Sequence, residues 1–253
     1  MTTTPKKGRL WIIGLGPGDP SLMPPLTWKA LEDAQVIIGY TGYTAGLADS
    51  LLSKEIIALP LGQERRRAVL AVERAGMGQS VAVVSSGDPG IYGMASLVLE
   101  TLQEHADAAI DAVVIPGISA INAAAALLGA PLGHDFAVIS LSDLLTPWPV
   151  IEKRLSAAAA ADFVIVLLNP KSRERTWQLE RAMDLIRQHR ADATPVGLVR
   201  NAYRPEQSVT VVALSELATA AVDMFTTVII GNSATRSFGP RLVTPRGYET
   251  PSV

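Results

Sequence analysis

The sequence predicts an α/β fold of two domains, the first built on a mainly parallel sheet and the second on a mixed one. Three observations lead there. Over the first 117 residues, short apolar runs alternate with longer amphipathic ones, the pattern of strands joined by helical crossovers. A second series of apolar runs follows Pro116-Gly117, and two of its members, PVGLVR and SVTVVAL, are separated only by NAYRPEQ. That connection is too short for a crossover helix, so these two strands suit antiparallel pairing. The 253 residues are 48% hydrophobic, enough to bury cores on this scale.

The elements follow in order. RLWIIGLG, QVIIGY, EIIALP, VAVVSSG and DAVVIPG read as strands, bounded by Gly, Pro and Ser, and the segments from Leu22 to Ala34, Glu64 to Ala75 and Ala95 to His105 read as the helices between them. The alanine-rich SAINAAAALLGA reads as a helix after the first sheet. FAVISL, DFVIVLLN, PVGLVR, SVTVVAL and MFTTVIIG then supply a second set of strands. The domain boundary falls near Pro116 to Ser119, giving an N-terminal domain at 1–117 and a C-terminal domain at 118–236. No proline-rich or serine-rich linker marks it, so close packing of the halves is expected, with a cleft between them. The tail, 237–253, is rich in Gly, Pro and Arg and is expected to be disordered.

Composition excludes several functions. Lys and Arg number 22 against 24 Asp and Glu, for a formal net charge of -2, which is no footprint for nucleic acid. No stretch approaches the ~20 apolar residues of a membrane span, and the polar MTTTPKKGR start lacks a signal-peptide core. A soluble, cytoplasmic protein is expected. There is no cysteine, hence neither disulfide nor thiolate nucleophile, and His105, His134 and His189 have no ligand spacing, so no metal site is assigned, with oxygen-ligated magnesium left as an alternative.

Three strand-to-helix turns carry the chemical interest. In SSGDPGIYGMA, Gly87 can take a positive φ or let a ligand approach the backbone, Pro89 fixes the next φ, and Asp88 is left at the strand's carboxyl end, where open α/β sheets bind ligands. The first strand ends in the similar GLGPGDP. It is a poor dinucleotide fingerprint, because Pro17 removes an amide donor and Asp19 sets an anion where phosphate would sit. It fits either a tight turn with Ser21 as N-cap or a backbone wall for an uncharged or zwitterionic ligand. The third turn, Pro116 to Ala120, combines small residues with Ser119 as an N-cap. Three such turns from one sheet would converge on one crevice.

These residues, in this order, resemble the tetrapyrrole methylase family, from about Arg9 to Arg236. GYTGYTAGL, SSGDPGIYGMA, PGISAINAAAALLGAPLGHDF, ISLSDLLTPW, LLNPKSRER and TVIIGNSATR carry the resemblance. Within the family, HDFAVISLSDLLTPW points to the branch that methylates precorrin-3B at C-17 with ring contraction to precorrin-4, in cobalamin biosynthesis. The resemblance implies two α/β domains, S-adenosylmethionine as cofactor, a precorrin as substrate and a homodimer. It assigns cofactor contacts to Pro17, Ser86, Gly87, Asp88, Ile91, Ser119 and Ala120, and to Leu168, Ala202 and Thr227 at strand ends of the second half.

Methyl transfer from a sulfonium needs alignment and a dry site more than an activated nucleophile, whereas contraction requires one group to take a proton. Asp143, after FAVISL, is one candidate, and an N-cap of a short helix over LLTPW is its alternative. His134, beside Asp135, is another, against a surface or structural histidine. A polycarboxylate substrate calls for cations. Arg65, Arg66 and Arg67 open a helix and spread over roughly 200° of it, so at most two can face one ligand. A solvated basic turn paired with Glu64 or Glu73 is the alternative. Arg200 at a strand end, and more weakly Lys171 and Arg173, are further cations. Tyr40 and Tyr43 suit either the ring of the substrate or the core.

Overall fold

The computed structural model describes residues 8–47, 51, 53–105 and 110–248. The chain divides into two compact units, Met1–Ala120 and Ile121–Val253.

In the first unit the strands are β1 (Arg9–Gly14), β2 (Val36–Tyr40), β3 (Glu55–Leu59), β4 (Ser80–Ser85) and β5 (Asp111–Ile115). They form one sheet in the order β3-β2-β4-β1-β5 with every pair parallel, as the alternating sequence pattern predicts. Its central strands are apolar on both faces: Leu10, Ile12, Ile13, Val81, Ala82 and Val83 are fully buried. Helices α1 (Pro25–Asp33), α2 (Thr41–Thr44), α3 (Glu64–Gly76) and α4 (Ala95–Glu104) accompany it. On one side α3 and α4 cover Leu10, Ile12, Val81 and Val83; on the other α1 covers Trp11, Ile13, Ala82 and Val84. The helix expected from Leu22 begins later. Pro20–Leu22 is a single 3-10 turn, and the Pro24-Pro25 pair delays α1 to Pro25, because proline cannot continue a helix it follows but suits its first position.

The second unit contains α5 (Ala120–Leu128), which begins at the last residue of the first, then β6 (Gly129–Ala130), β7 (Phe136–Ser140), α6 (Trp148–Ala160), β8 (Val164–Leu168), α7 (Gln178–Arg187), β9 (Pro195–Arg200), β10 (Ser208–Ala213) and β11 (Thr226–Ile230). Its main sheet has the order β10-β9-β11-β8-β7 and is mixed: β7 and β8 run parallel, while β8, β11, β9 and β10 pair antiparallel. Two strands lie in the segment expected to be disordered or at its start, β12 (Arg236–Phe238) and β13 (Arg241–Val243). The physical reason is Leu242, which is fully buried against Leu128 and Ile229; burying such a side chain contributes about 1.5–3 kcal/mol. Gly197 makes room for it, since a Cβ there would lie 2.4 Å from Leu128 and 3.0 Å from Leu242. Among the described residues, no helix is long and apolar enough to cross a membrane.

Candidate active site

Because the first sheet is wholly parallel, the carboxyl ends of its five strands lie along one edge. The loops after β1 and β4 are joined there by main-chain hydrogen bonds. Gly16 donates its N–H to Gly87 O at 3.1 Å, and Gly87 donates back to Gly16 O at 2.7 Å, while Leu15 N–H reaches Ser85 O at 2.8 Å. Gly16 and Gly87 hold φ of 75° and 65°, which glycine adopts without strain. Gly14, Gly87 and Gly117 interlock: a Cβ on Gly117 would lie 2.2 Å from Gly87 O and 2.9 Å from Gly14 Cα. No side chain fits at that junction.

Asp88 fastens the same junction. Its Oδ1 accepts the Gly90 N–H at 2.8 Å and its Oδ2 accepts the Gly117 N–H at 3.1 Å, tying the loop after β4 to the loop after β5. The carboxylate expected to face a ligand therefore has both oxygens engaged with backbone. Asp19 also has a local task, accepting the Ser21 N–H at 2.8 Å. It, and not Ser21, is the N-cap of the turn, and hydrogen bonding from Ser21 holds its carboxyl below the usual range. Pro17 and Ser119 are buried and Ser86 half-buried on this edge, whereas Ala120 is exposed and Ile91 retains 40% of its surface.

Farther along the edge, Tyr40 and Tyr43 form an edge-to-face pair with ring centroids 5.0 Å apart. The three arginines of α3 separate in role. Arg67 is buried and donates to Glu64 Oε1 at 2.7 Å and Pro60 O at 2.9 Å, bracing the loop that leads from β3 into its own helix. Burial alone would raise the Glu64 carboxyl, but its backbone N–H and Arg67 outweigh that and hold it low. Arg65 pairs with Glu104 at 2.9 Å on the exposed face. Arg66 is exposed and makes no ion pair among the described residues, so of the three it is the cation free to meet a ligand.

In the second unit, strand directions bring Ser140 and Asp143 after β7, Leu168 and Asn169 at the end of β8, Arg200 to Ala202 at the end of β9, and Thr226 and Thr227 at the start of β11 to one sheet edge. Asn169 and Asn201 turn the chain there with φ of 51° and 50°, a conformation asparagine tolerates better than most residues. Asn169 donates Nδ2–H to Ser140 Oγ at 3.0 Å, and buried Arg175 donates to Asn169 O at 2.7 Å. Thr227 is buried, and Leu168 and Ala202 are half-buried against the core.

Asp143 is half-buried in a segment that does not form the short helix its alternative role requires; α6 starts only at Trp148, with Pro147 before it. Its Oδ2 accepts from Gln178 Nε2 at 3.2 Å, and Leu144 and Leu145 beside it are 79% and 98% exposed. Arg200 is engaged: it donates Nε–H to Asp223 Oδ2 at 2.7 Å and lies 3.6 Å from Glu206, and the hydrogen bond to Asp223 raises it further above its usual range. Lys171 and Arg173 are exposed.

His134 is not among this group. It precedes β7 while Asp143 follows it, and the five residues of that strand span about 17 Å. His134 is exposed and accepts the Asp135 N–H on Nδ1 at 2.8 Å. It lines an open groove of about 390 Å³ at the opposite edge of the sheet, with Asp162, Asn232 and Arg246. Sequence reasoning overlooked Gln178 and Asp223. A lone glutamine at a helix start carries no chemical pattern, and the pairing of Asp223 with Arg200 spans 23 residues that only the sheet brings together.

A parallel sheet with glycine turns at its carboxyl edge, followed by a mixed sheet of this order, defines a two-unit α/β class. The model of the family "Tetrapyrrole (Corrin/Porphyrin) Methylases" matches residues 9–218, and the chain belongs to that family. It is 43% identical over 249 residues to the "Precorrin-3B C(17)-methyltransferase" of Sinorhizobium sp, covering 95% of this chain and 97% of that one. It is 45% identical over 246 residues to the "Cobalt-factor III methyltransferase" of Priestia megaterium; this covers 96% of this chain but 46% of the relative, so the chain spans about half that protein. The solved structure of the methyltransferase CobJ superposes with a TM-score of 0.89 at 40% identity, covering 94% of this chain and all of that one.

Proposed function

We propose that this chain transfers a methyl group from S-adenosylmethionine to C-17 of precorrin-3B and accompanies contraction of the macrocycle to precorrin-4, in cobalamin biosynthesis. The observation that carries the reading is family membership across residues 9–218 joined to 43% identity, nearly end to end, with a relative named for C-17 methylation of precorrin-3B.

S-adenosylmethionine supplies an electrophilic methyl group when bound. The first sheet's edge suits such a ligand: glycines pack its loops at the junction, Ile91 offers exposed apolar surface, and both Asp88 oxygens already accept backbone N–H groups. Pro17, Ser86, Gly87, Ser119 and Ala120 line this edge, and Asp88 acts here by holding the loops. On the second edge, half-buried Leu168 and Ala202 offer the small and apolar surface that suits adenine, and Thr227, buried on the same edge, is the third contact assigned there.

The transformation balances when the macrocycle gains one methyl cation and loses one proton. As the C-20 hydroxyl becomes a carbonyl and a ring bond migrates, a base must take that proton. We assign the role to Asp143, which keeps Oδ1 without a partner among the described residues. His134, at the other end of β7, is left out of this role. Arg66 is the free cation for a substrate carboxylate, with Tyr40 and Tyr43 beyond β2 as ring contacts.

The test is to incubate the purified chain with cofactor and either precorrin-3B or its cobalt-containing counterpart, following mass and the ¹³C resonance of labelled C-20. The expected result is a gain of one methyl group with C-20 expelled from the ring, and Asp143→Asn should abolish expulsion. Methylation without expulsion in the unmodified chain overturns the assignment. The second substrate is included because the Priestia megaterium relative is named for cobalt-factor III.

A further inference from the structure

We infer that Gln178 is a positioning residue for Asp143, holding its carboxyl in one orientation both before and after proton transfer. The inference rests on the reading of Asp143 as the proton acceptor.

Gln178 is the first residue of α7 and is 2% exposed. Burying a primary amide is costly unless its groups are hydrogen-bonded. Here Nε2 donates to Asp143 Oδ2 at 3.2 Å, and Oε1 is buried with no partner. Among the described residues Gln178 is the sole hydrogen-bond partner of the Asp143 side chain, so nothing else there fixes the orientation of that carboxyl. Gln63, in the first unit, is the other described residue with a buried, unpartnered side-chain oxygen.

An amide N–H is suited to this arrangement. While Asp143 is ionised both its oxygens only accept, and Nε2–H meets that need at Oδ2. Once Oδ1 has taken a proton, Oδ2 is the carbonyl oxygen of the neutral acid and still accepts the Nε2–H, so one donor holds the carboxyl in both protonation states and leaves Oδ1 for the substrate. A hydrocarbon of the same length fills the volume but serves neither state.

The test compares Gln178→Met, Gln178→Glu and Asp143→Asn for melting temperature, S-adenosylmethionine affinity by calorimetry, and kcat and KM for contracted product. The expected result for Gln178→Met is a kcat lowered by about tenfold or more, the value of a hydrogen bond to a charged group, with KM and cofactor affinity within about twofold of the unmodified chain. In the Asp143→Asn background, Gln178→Met should have no further effect, because the two act as a unit. Gln178→Glu keeps the shape but sets a second carboxylate beside the first, so the acid limb of its pH–rate profile should move to higher pH.

The inference is overturned if Gln178→Met leaves kcat unchanged, or if its loss is matched by equal changes in KM and melting temperature, which a purely structural glutamine would produce. If Gln178→Met does not fold, an unmoved pH profile in Gln178→Glu overturns it instead. Contraction that survives Asp143→Asn overturns the reading of Asp143 itself. Loss of contraction in Asp143→Asn, together with full activity in Gln178→Met, overturns only the inference.

Discussion

The two sheet edges are made of different materials. In the first unit the loops after β1 and β4 are joined by main-chain hydrogen bonds between Gly16 and Gly87, glycines pack closely at the junction, and the Asp88 side chain ties the loop after β4 to the loop after β5. In the second unit the corresponding work is done by side chains: Asn169 on Ser140, Arg175 on Asn169, Gln178 on Asp143 and Arg200 on Asp223. A main-chain junction is rigid and has no neighbour able to yield, whereas a side-chain network can lose one member and relax around it. The first edge should therefore respond to substitution all-or-none and the second by degrees.

The harshest test of that contrast is Gly117→Ala. Its Cβ would have to occupy a point 2.2 Å from Gly87 O, and the atoms it meets are backbone. Overpacking ordinarily costs about 1–3 kcal/mol, and with no flexible neighbour the cost here should reach about 3 kcal/mol or more. Thermal melting would show it as a large loss of stability, accompanied by loss of S-adenosylmethionine binding. A variant that melts normally would mean that the loops can part, and the rigid half of the comparison would fail.

Asp88→Asn comes next. Asparagine keeps one acceptor for Gly90 N–H but turns an amino group toward Gly117 N–H, leaving two donors face to face. We expect a loss of about 1–3 kcal/mol, the penalty for an unsatisfied buried donor, and weaker cofactor binding measured by calorimetry. Asp88→Ala should do no worse than Asp88→Asn, because alanine removes the opposed donor. A cofactor affinity that falls with no change in melting temperature would return Asp88 to direct ligand contact and blur the distinction between the edges.

Much of this was readable from residues alone, and the reasons differ by region. The parallel sheet announced itself because its strands are buried on both faces and bounded by Gly and Pro, and the Gly-Asp-Pro turns marked its ligand edge. The mixed order of the second sheet followed from the length of NAYRPEQ. What sequence could not supply was the fate of individual charges. Arg65, Arg66 and Arg67 are equivalent in the sequence, yet their partners, Glu104 for one, Glu64 and a carbonyl for another, none among the described residues for the third, depend on which face of α3 each occupies. His134 and Asp143, nine positions apart, are separate candidate bases in the sequence, and the strand between them carries them to opposite edges. The tail looked disordered because Gly, Pro and Arg surround Leu242, and one buried leucine outweighs that composition.

The mildest effect belongs to the ion pair between Arg200 and Asp223, and it sharpens the second half of the comparison. Both side chains are partly exposed, 33% and 40%, so the pair should contribute only about 1 kcal/mol. Burial pushes the Asp223 carboxyl up, but Arg200, Thr226 and the Phe225 N–H pull it further down, for a net value below the usual 3.8. A carboxyl lowered on folding contributes stability that is present above its unfolded value and is lost as pH falls through the folded one. Arg200 is shifted upward, so its own contribution is lost only at strongly alkaline pH, outside the working range. The melting-temperature advantage of the unmodified chain over Asp223→Asn should therefore be small, constant from about pH 5 upward, and decline below about pH 4 as the carboxyl is protonated. Since Arg200 is already engaged by Asp223 and Glu206, Arg200→Met should leave KM for the tetrapyrrole within about twofold. A KM raised tenfold or more would show that substrate displaces Asp223, making Arg200 a clamp that is merely parked on a carboxylate in the free protein.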